Sequence, residues 1–262
     1  MPHVMTADRF DGQAGLNVST IDFSHPWEWL RKGWSDVRAA PGYSLTYGTG
    51  IVLLSLLITT LMIVGELTFL VPFLIAGFFL MAPMLSIGLY QMSAHLERGE
   101  SLESCQALEA FKRNQGQLGM VSAFLFVTLQ AWLVVSLVSI ALLFNDPFPT
   151  LDNFLPVVFF SGDHLLLLAT ITVIGAGFAA VVFGIMAITV PLLTDRHVDA
   201  LTAMRTSVRA VTQNPGPMLL WAGLIVLIVG AGLATFYLGL FIAIPLVGHA
   251  SWHAYRDLVP SP

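Results

Sequence analysis

His249 and His253 stand four residues apart and bracket Trp252, so in a helix both imidazoles project from one face. His95, at the polar edge of another apolar run, is expected at a similar depth. Imidazoles at one level could ligate a transition metal or a haem. A catalytic zinc centre, however, needs a third protein ligand and an open position. The sequence offers no HExxH pattern and no carboxylate next to the pair. Amphipathic side chains at a membrane surface, with polar tips in water, explain the same pattern. No cofactor and no metal are assigned, and His95, His249 and His253 stand as the candidates for a bound group. Asp146, Asp152 and Asp163 lack the dense alternation and glycine of a calcium loop and read as a solvated stretch. There is no GxSxG, no phosphate loop and no paired carboxylate inside an apolar run, so no catalytic constellation is found.

The elements that would position these residues are dictated by oil. The chain is 56% hydrophobic and 10% charged, with a mean hydropathy of +0.80, against about 25% charged for an ordinary soluble domain. A bilayer crossing takes about 20 mostly apolar residues. Spans are expected at about 43–64, 69–92, 118–144, 165–193, 218–234 and 236–255. The last two come from one stretch too long for a single crossing, divided near Ala234 and Thr235. With that division all eleven Lys and Arg residues fall on one side of the membrane, which the positive-inside rule makes cytoplasmic, together with both termini. The net charge of −5 carries no nucleic-acid signal, and a single cysteine, Cys105, excludes an internal disulfide. Residues 1–23 read as a flexible tail, 24–258 as one membrane domain and 259–262 as a short tail.

A basic amphipathic segment recurs ahead of the spans. Trp27, Leu30, Trp34 and Val37 fall on one helical face, as do Leu201, Met204, Val208 and Val211. The two segments align Arg31 with Arg205, Pro41 with Pro215 and Gly42 with Gly216. A third, more diverged copy over 107–116 aligns Asn114 with Asn214. Helices of this kind lie in the headgroup layer with the apolar side down. Arg31, Lys32, Arg38, Lys112, Arg113, Arg205 and Arg209 are then the expected lipid-surface contacts. The fold class is accordingly an all-α integral membrane protein, six transmembrane helices arranged as three diverged hairpins, each preceded by a cytoplasmic amphipathic helix.

Each returning helix carries a proline, Pro83, Pro191 or Pro245, which predicts a kink. The small-residue runs over 174–179 and 229–234 predict close helix packing. Ion-coupled transporters keep ionisable groups at mid-membrane depth, and here the span centres hold none, which disfavours proton- or sodium-driven transport. Three functions remain open. One is a non-catalytic membrane protein that binds lipids or docks on partner membrane proteins. Another is a facilitative channel or permease for small neutral solutes. The third is a redox accessory subunit using the histidines.

Four stretches carry a family resemblance: Pro83-Met-Leu-Ser-Ile-Gly-Leu-Tyr90, Leu96-Glu-Arg-Gly-Glu100, Trp29-Leu-Arg-Lys-Gly-Trp34 and Gly248-His-Ala-Ser-Trp-His-Ala-Tyr-Arg256. Together they resemble DUF2189, bacterial integral membrane proteins of uncharacterised role, over about 21–259. The helix-then-span repeat is also similar, more loosely, to membrane domains attached to some glycerophosphodiester phosphodiesterases, which do not themselves carry the hydrolase chemistry. The DUF2189 resemblance implies a bacterial inner-membrane location and supplies no catalytic residues. Labels on some members imply a connection with cytochrome oxidase, and hence the role of an accessory subunit of a respiratory oxidase.

Overall fold

A computed structural model describes residues 16–67, 71–102, 114–144, 153 and 156–260. All regular structure among them is helical. The order is α1 (His25–Ala39), α2 (Pro41–Val64), α3 (Val71–Leu85), α4 (Ile87–Arg98), α5 (Gln115–Leu143), a π-helical turn (Pro156–Phe160), α6 (Leu165–Met186), α7 (Thr189–Asp195), α8 (Ala200–Gln213), α9 (Pro215–Ala234) and α10 (Leu240–Leu258). Among the described residues, five helical stretches are long and apolar enough to cross a membrane: Pro41–Val64, Gly77–Arg98, Gln115–Leu143, Leu165–Asp195 and Pro215–Ala234.

The sixth expected span is a different kind of helix. The chain does divide where the sequence places the break, α9 ending at Ala234. But α10 carries His249, Ser251, His253, Arg256 and Asp257, and it is not among the stretches apolar enough to cross. It is the post around which the others assemble, packed on α1, α2, α4 and α9. Two glycines let partner backbones reach it. A Cβ on Gly33 of α1 would lie 2.7 Å from the Ala250 amide nitrogen and 2.9 Å from the Leu246 carbonyl oxygen. One on Gly48 of α2 would run into the Phe241 carbonyl.

The deepest part of the core lies beside the carboxyl-terminal half of α10, where Trp29, Trp221, Trp252 and Tyr255 are all buried. Trp29 stands edge-on to Trp221, and Trp252 edge-on to Tyr255. Such pairs add to the area they bury. Of the tail expected over 1–23, the described part, 16–23, is tied to the bundle. Ser19 donates its amide to the Leu258 carbonyl. Asn214 accepts from the Ile21 amide at 2.9 Å and donates to the Ser19 carbonyl at 3.0 Å.

Two of the three prolines sit beside breaks, one before and one after. Pro83 stands near the α3–α4 junction and Pro191 just after the α6–α7 junction. At the second break a side chain enters the helical ladder. Ser207 of α8 donates to the Gly184 carbonyl at 2.9 Å and accepts from the Ile188 amide at 3.1 Å. These are the two groups that would bond each other in an unbroken helix. Of the small-residue runs, Gly232 meets the Gly239–Leu240 backbone and Gly175 approaches Trp132, whereas Gly177 and Gly230 face open space.

Two outcomes test this packing. Gly33→Val should destabilise the detergent-solubilised protein by about 1–3 kcal/mol, as overpacking of a tight core does, while Gly42→Val, which meets nothing within 4 Å, should leave the melting temperature near the parent value. Ser207→Val should cost about 1–3 kcal/mol by stranding two buried backbone groups, read as a lower midpoint in thermal unfolding followed by circular dichroism.

Candidate functional site

A helix carrying histidines four apart, pressed against four neighbours, must find partners for them, because unpaired polar groups in a low-dielectric interior are costly. The partners come from three helices. His249, fully buried, has Nε2 3.0 Å from Ser44 Oγ of α2 and Nδ1 2.7 Å from Ser93 Oγ of α4. Ser93 donates to Asp36 Oδ2 of α1 at 2.6 Å. His253 places Nε2 2.9 Å from the same oxygen.

The proton positions follow from donor counting. Ser93 gives its only proton to the carboxylate, so its oxygen must accept from His249 Nδ1–H. That leaves Nε2 as the acceptor, and Ser44 donates to it. The result is one directed chain, Ser44 to His249 to Ser93 to Asp36, with His253 donating to Asp36 from the other side.

A second polar layer surrounds the last turns of α10. Trp252 donates to Glu97 at 3.1 Å, and Arg256 meets the other Glu97 oxygen at 3.2 Å. Tyr255 donates to Asp195 at 2.6 Å. Arg196 donates to the Val259 and Pro260 carbonyls, each at 2.9 Å, and lies over the Tyr255 ring. Trp29 donates to Asp257 at 2.7 Å, and Lys32 pairs with the same carboxylate at 3.4 Å. At the start of α8, Asp199 accepts from the Thr202 amide at 2.9 Å, and its hydrogen bonds with Thr202 hold its carboxyl below the ordinary carboxylate range.

The expected histidine cluster forms only in part. His249 and His253 converge on Asp36, but His95 turns to Glu100, its Nδ1 2.7 Å from the carboxylate and outside hydrogen-bond geometry. With both His249 nitrogens engaged inside the protein, that imidazole has no lone pair to offer a metal or haem. Ser44 and His249 have the spacing of a nucleophile and its base, yet both are fully buried, so no substrate reaches them in this conformation. No three His, Cys, Asp or Glu side chains converge as a metal site among the described residues.

The expected lipid-surface cations divide too. Arg31, Arg38 and Arg205 are exposed. Lys32 is tied to Asp257, and the Arg209 Nε is buried without a partner. Lys112 and Arg113 lie outside the described residues, as do Cys105, Asp146 and Asp152. The apolar faces expected to turn together behave unevenly. Val37 is buried, whereas Trp27 and Trp34 are 56% and 40% exposed, and Leu201 and Val208 are 50% and 40% exposed. What α1 buries instead is Trp29 and Gly33, and what α8 buries is Ala200, Ala203, Thr206, Ser207 and Ala210.

Sequence reasoning missed Asp36, Ser44 and Ser93. The available signal was the pair of histidines, which demands acceptors, and an aspartate within an otherwise basic amphipathic helix.

Asp36→Asn and Asp36→Ala test the clamp. The alanine variant strands Ser93 and His253 and should lose about 2–3 kcal/mol, the scale of hydrogen bonds to a charged group. The asparagine variant, which keeps an acceptor, should lose less. Differential scanning fluorimetry of detergent-purified protein reads both.

No curated protein and no solved structure matches the chain. Residues 70–195 match the family described as "Predicted integral membrane protein (DUF2189)", which covers the motifs over 83–90 and 96–100 but neither the Trp29 nor the Gly248 stretch. Over those residues, just under half of its length, the chain is similar to DUF2189, and it is an integral membrane protein.

Proposed function

We propose that this is a non-catalytic protein of the bacterial inner membrane that engages anionic lipids, and docks on partner membrane proteins, through α1 and α8. The supporting observation is that each of these helices packs one face on the bundle and turns large apolar side chains outward beside exposed cations. Trp27 and Trp34 flank Arg31 on α1, and Leu201 and Val208 flank Arg205 on α8. Tryptophan favours the membrane–water boundary, and each Lys or Arg near an anionic leaflet contributes on the order of 1 kcal/mol. In this reading α1 and α8 float at the cytoplasmic surface, both termini are cytoplasmic, and α10 crosses the bilayer as a sixth span sheathed by its neighbours.

The solute-path reading fares worse. Leu89 of α4, Val190 and Leu192 of α7 and Trp252 and Tyr255 of α10 are buried between the helices that would line such a path. The oxidase-subunit reading has to do without His249, which is committed to two serines.

Replacing Arg31, Arg38 and Arg205 together with Gln should reduce enrichment of phosphatidylglycerol over phosphatidylcholine around reconstituted protein, on the order of a hundredfold for three charges of that size. Lys32→Gln should instead lower thermal stability and leave the lipid profile in place. An unchanged profile in the triple variant overturns the proposal.

A further inference from the structure

The outer half of α2 stands apart from the dense core, with Leu53 62%, Leu57 56% and Val64 76% exposed. Between it and the bundle lies a crevice of about 350 Å³, within the size range of small-ligand pockets. Leu54, Ile58, Phe78, Met81, Leu129 and Leu233 supply its walls, from α2, α3, α5 and α9. These walls belong to stretches apolar enough to cross a membrane, so the crevice opens onto hydrocarbon. Cavities lined this way stay dry, and left empty they forfeit the dispersion contacts of their walls.

One end of the crevice is polar. Thr59 Oγ1 and the Tyr237 hydroxyl, both lining it, lie 2.8 Å apart. Two hydroxyls paired with each other use one proton between them and retain one to donate. Thr59 is five residues before the end of α2, about 8 Å at 1.5 Å per residue, which sets the pair just below the outer headgroup boundary. Tyr237 is placed there by a turn with φ of 52° at Phe236 and 69° at Tyr237. Side chains of this size rarely adopt such backbone, which persists where the surroundings demand it and is common at ligand clamps.

We infer that this crevice is a binding site for one alkyl chain of a membrane phospholipid, with the spare hydroxyl proton of the Thr59–Tyr237 pair donated to the ester oxygen of that chain. The site lies at the opposite end of α2 from the basic surface, so it stands or falls separately from the headgroup preference proposed above.

The test uses the full-length protein in phosphatidylcholine nanodiscs containing a trace of phosphatidylcholine with a diazirine in its acyl chain. After illumination, adducts should concentrate on peptides bearing Met81 and Leu129. Ser55→Trp, which fills the crevice, should reduce these adducts at least tenfold, with Leu133→Trp as a second filling variant should the first fail to fold. Tyr237→Phe should reduce them about threefold, and the Arg31, Arg38 and Arg205 triple variant should leave them unchanged. Adducts spread evenly over outward positions such as Val127 and Val173, or insensitive to filling, overturn the inference. So does full displacement by oleate, which would assign the site to a free fatty acid. Protein–protein crosslinks from the same walls, which would assign it to a second copy of the chain, overturn it as well.

Discussion

A carboxylate that is mostly withdrawn from water must be surrounded by donors, and Asp36 obtains them from two helices other than its own. Its side chain is 15% exposed and takes Ser93 from α4 and His253 from α10 on one oxygen. Through Ser93 it fixes the orientation of His249, and through His249 that of Ser44 on α2. Four helices are thus held in register by one chain of hydrogen bonds. Breaking any link leaves a buried polar group stranded, and this asymmetry gives such networks more influence over specificity than over net stability. The glycine contacts at Gly33 and Gly48 serve the same end, because the short side chains of Asp36 and Ser44 reach α10 only if the backbones are close.

From that clamp the molecule grades along its length. The end bearing Glu97, Asp195, Arg196, Arg256 and Asp257 is dense, polar and interlocked. The other end is hydrocarbon-like and loosely packed, with α2 half-detached and α6 presenting Leu165, Leu166 and Val173 outward. Polar contacts hold where water is near, whereas in lipid close packing alone must serve.

Much of this was legible in the residues. The five strongly apolar stretches announced themselves by length, and Pro191 correctly marked a break in the fourth. The division at Ala234 followed from length and charge placement. The character of α10 was harder to read. Its apolar first half and polar second half resemble a span running into water, and only the neighbours reveal that His249 and Trp252 are enclosed. Periodicity identified α1 and α8 as two-sided helices and grouped the large apolar side chains that turn away from the bundle, but it did not show which small residues would pack inward. Alanine, serine and threonine rank low in hydrophobicity, yet in α8 they form the inward face because α6 comes so close, and the larger side chains are left outside. His95 was grouped with the other histidines by depth. Its position two residues past Ser93 on α4 turns it to another side of the helix, and it pairs with Glu100.

Ser207 links two levels of the structure that otherwise touch only sideways. The hydroxyl that bridges Gly184 and Ile188 is carried by α8, not by the broken helix itself. Lifting α8 by a few ångströms would withdraw that bridge and bring the Gly184 carbonyl and the Ile188 amide back toward each other. The bend would then lose its cross-brace, with Pro191 left to hold it. The bend of a bilayer-crossing rod is thereby braced by a hydroxyl borrowed from the helix seated beside it.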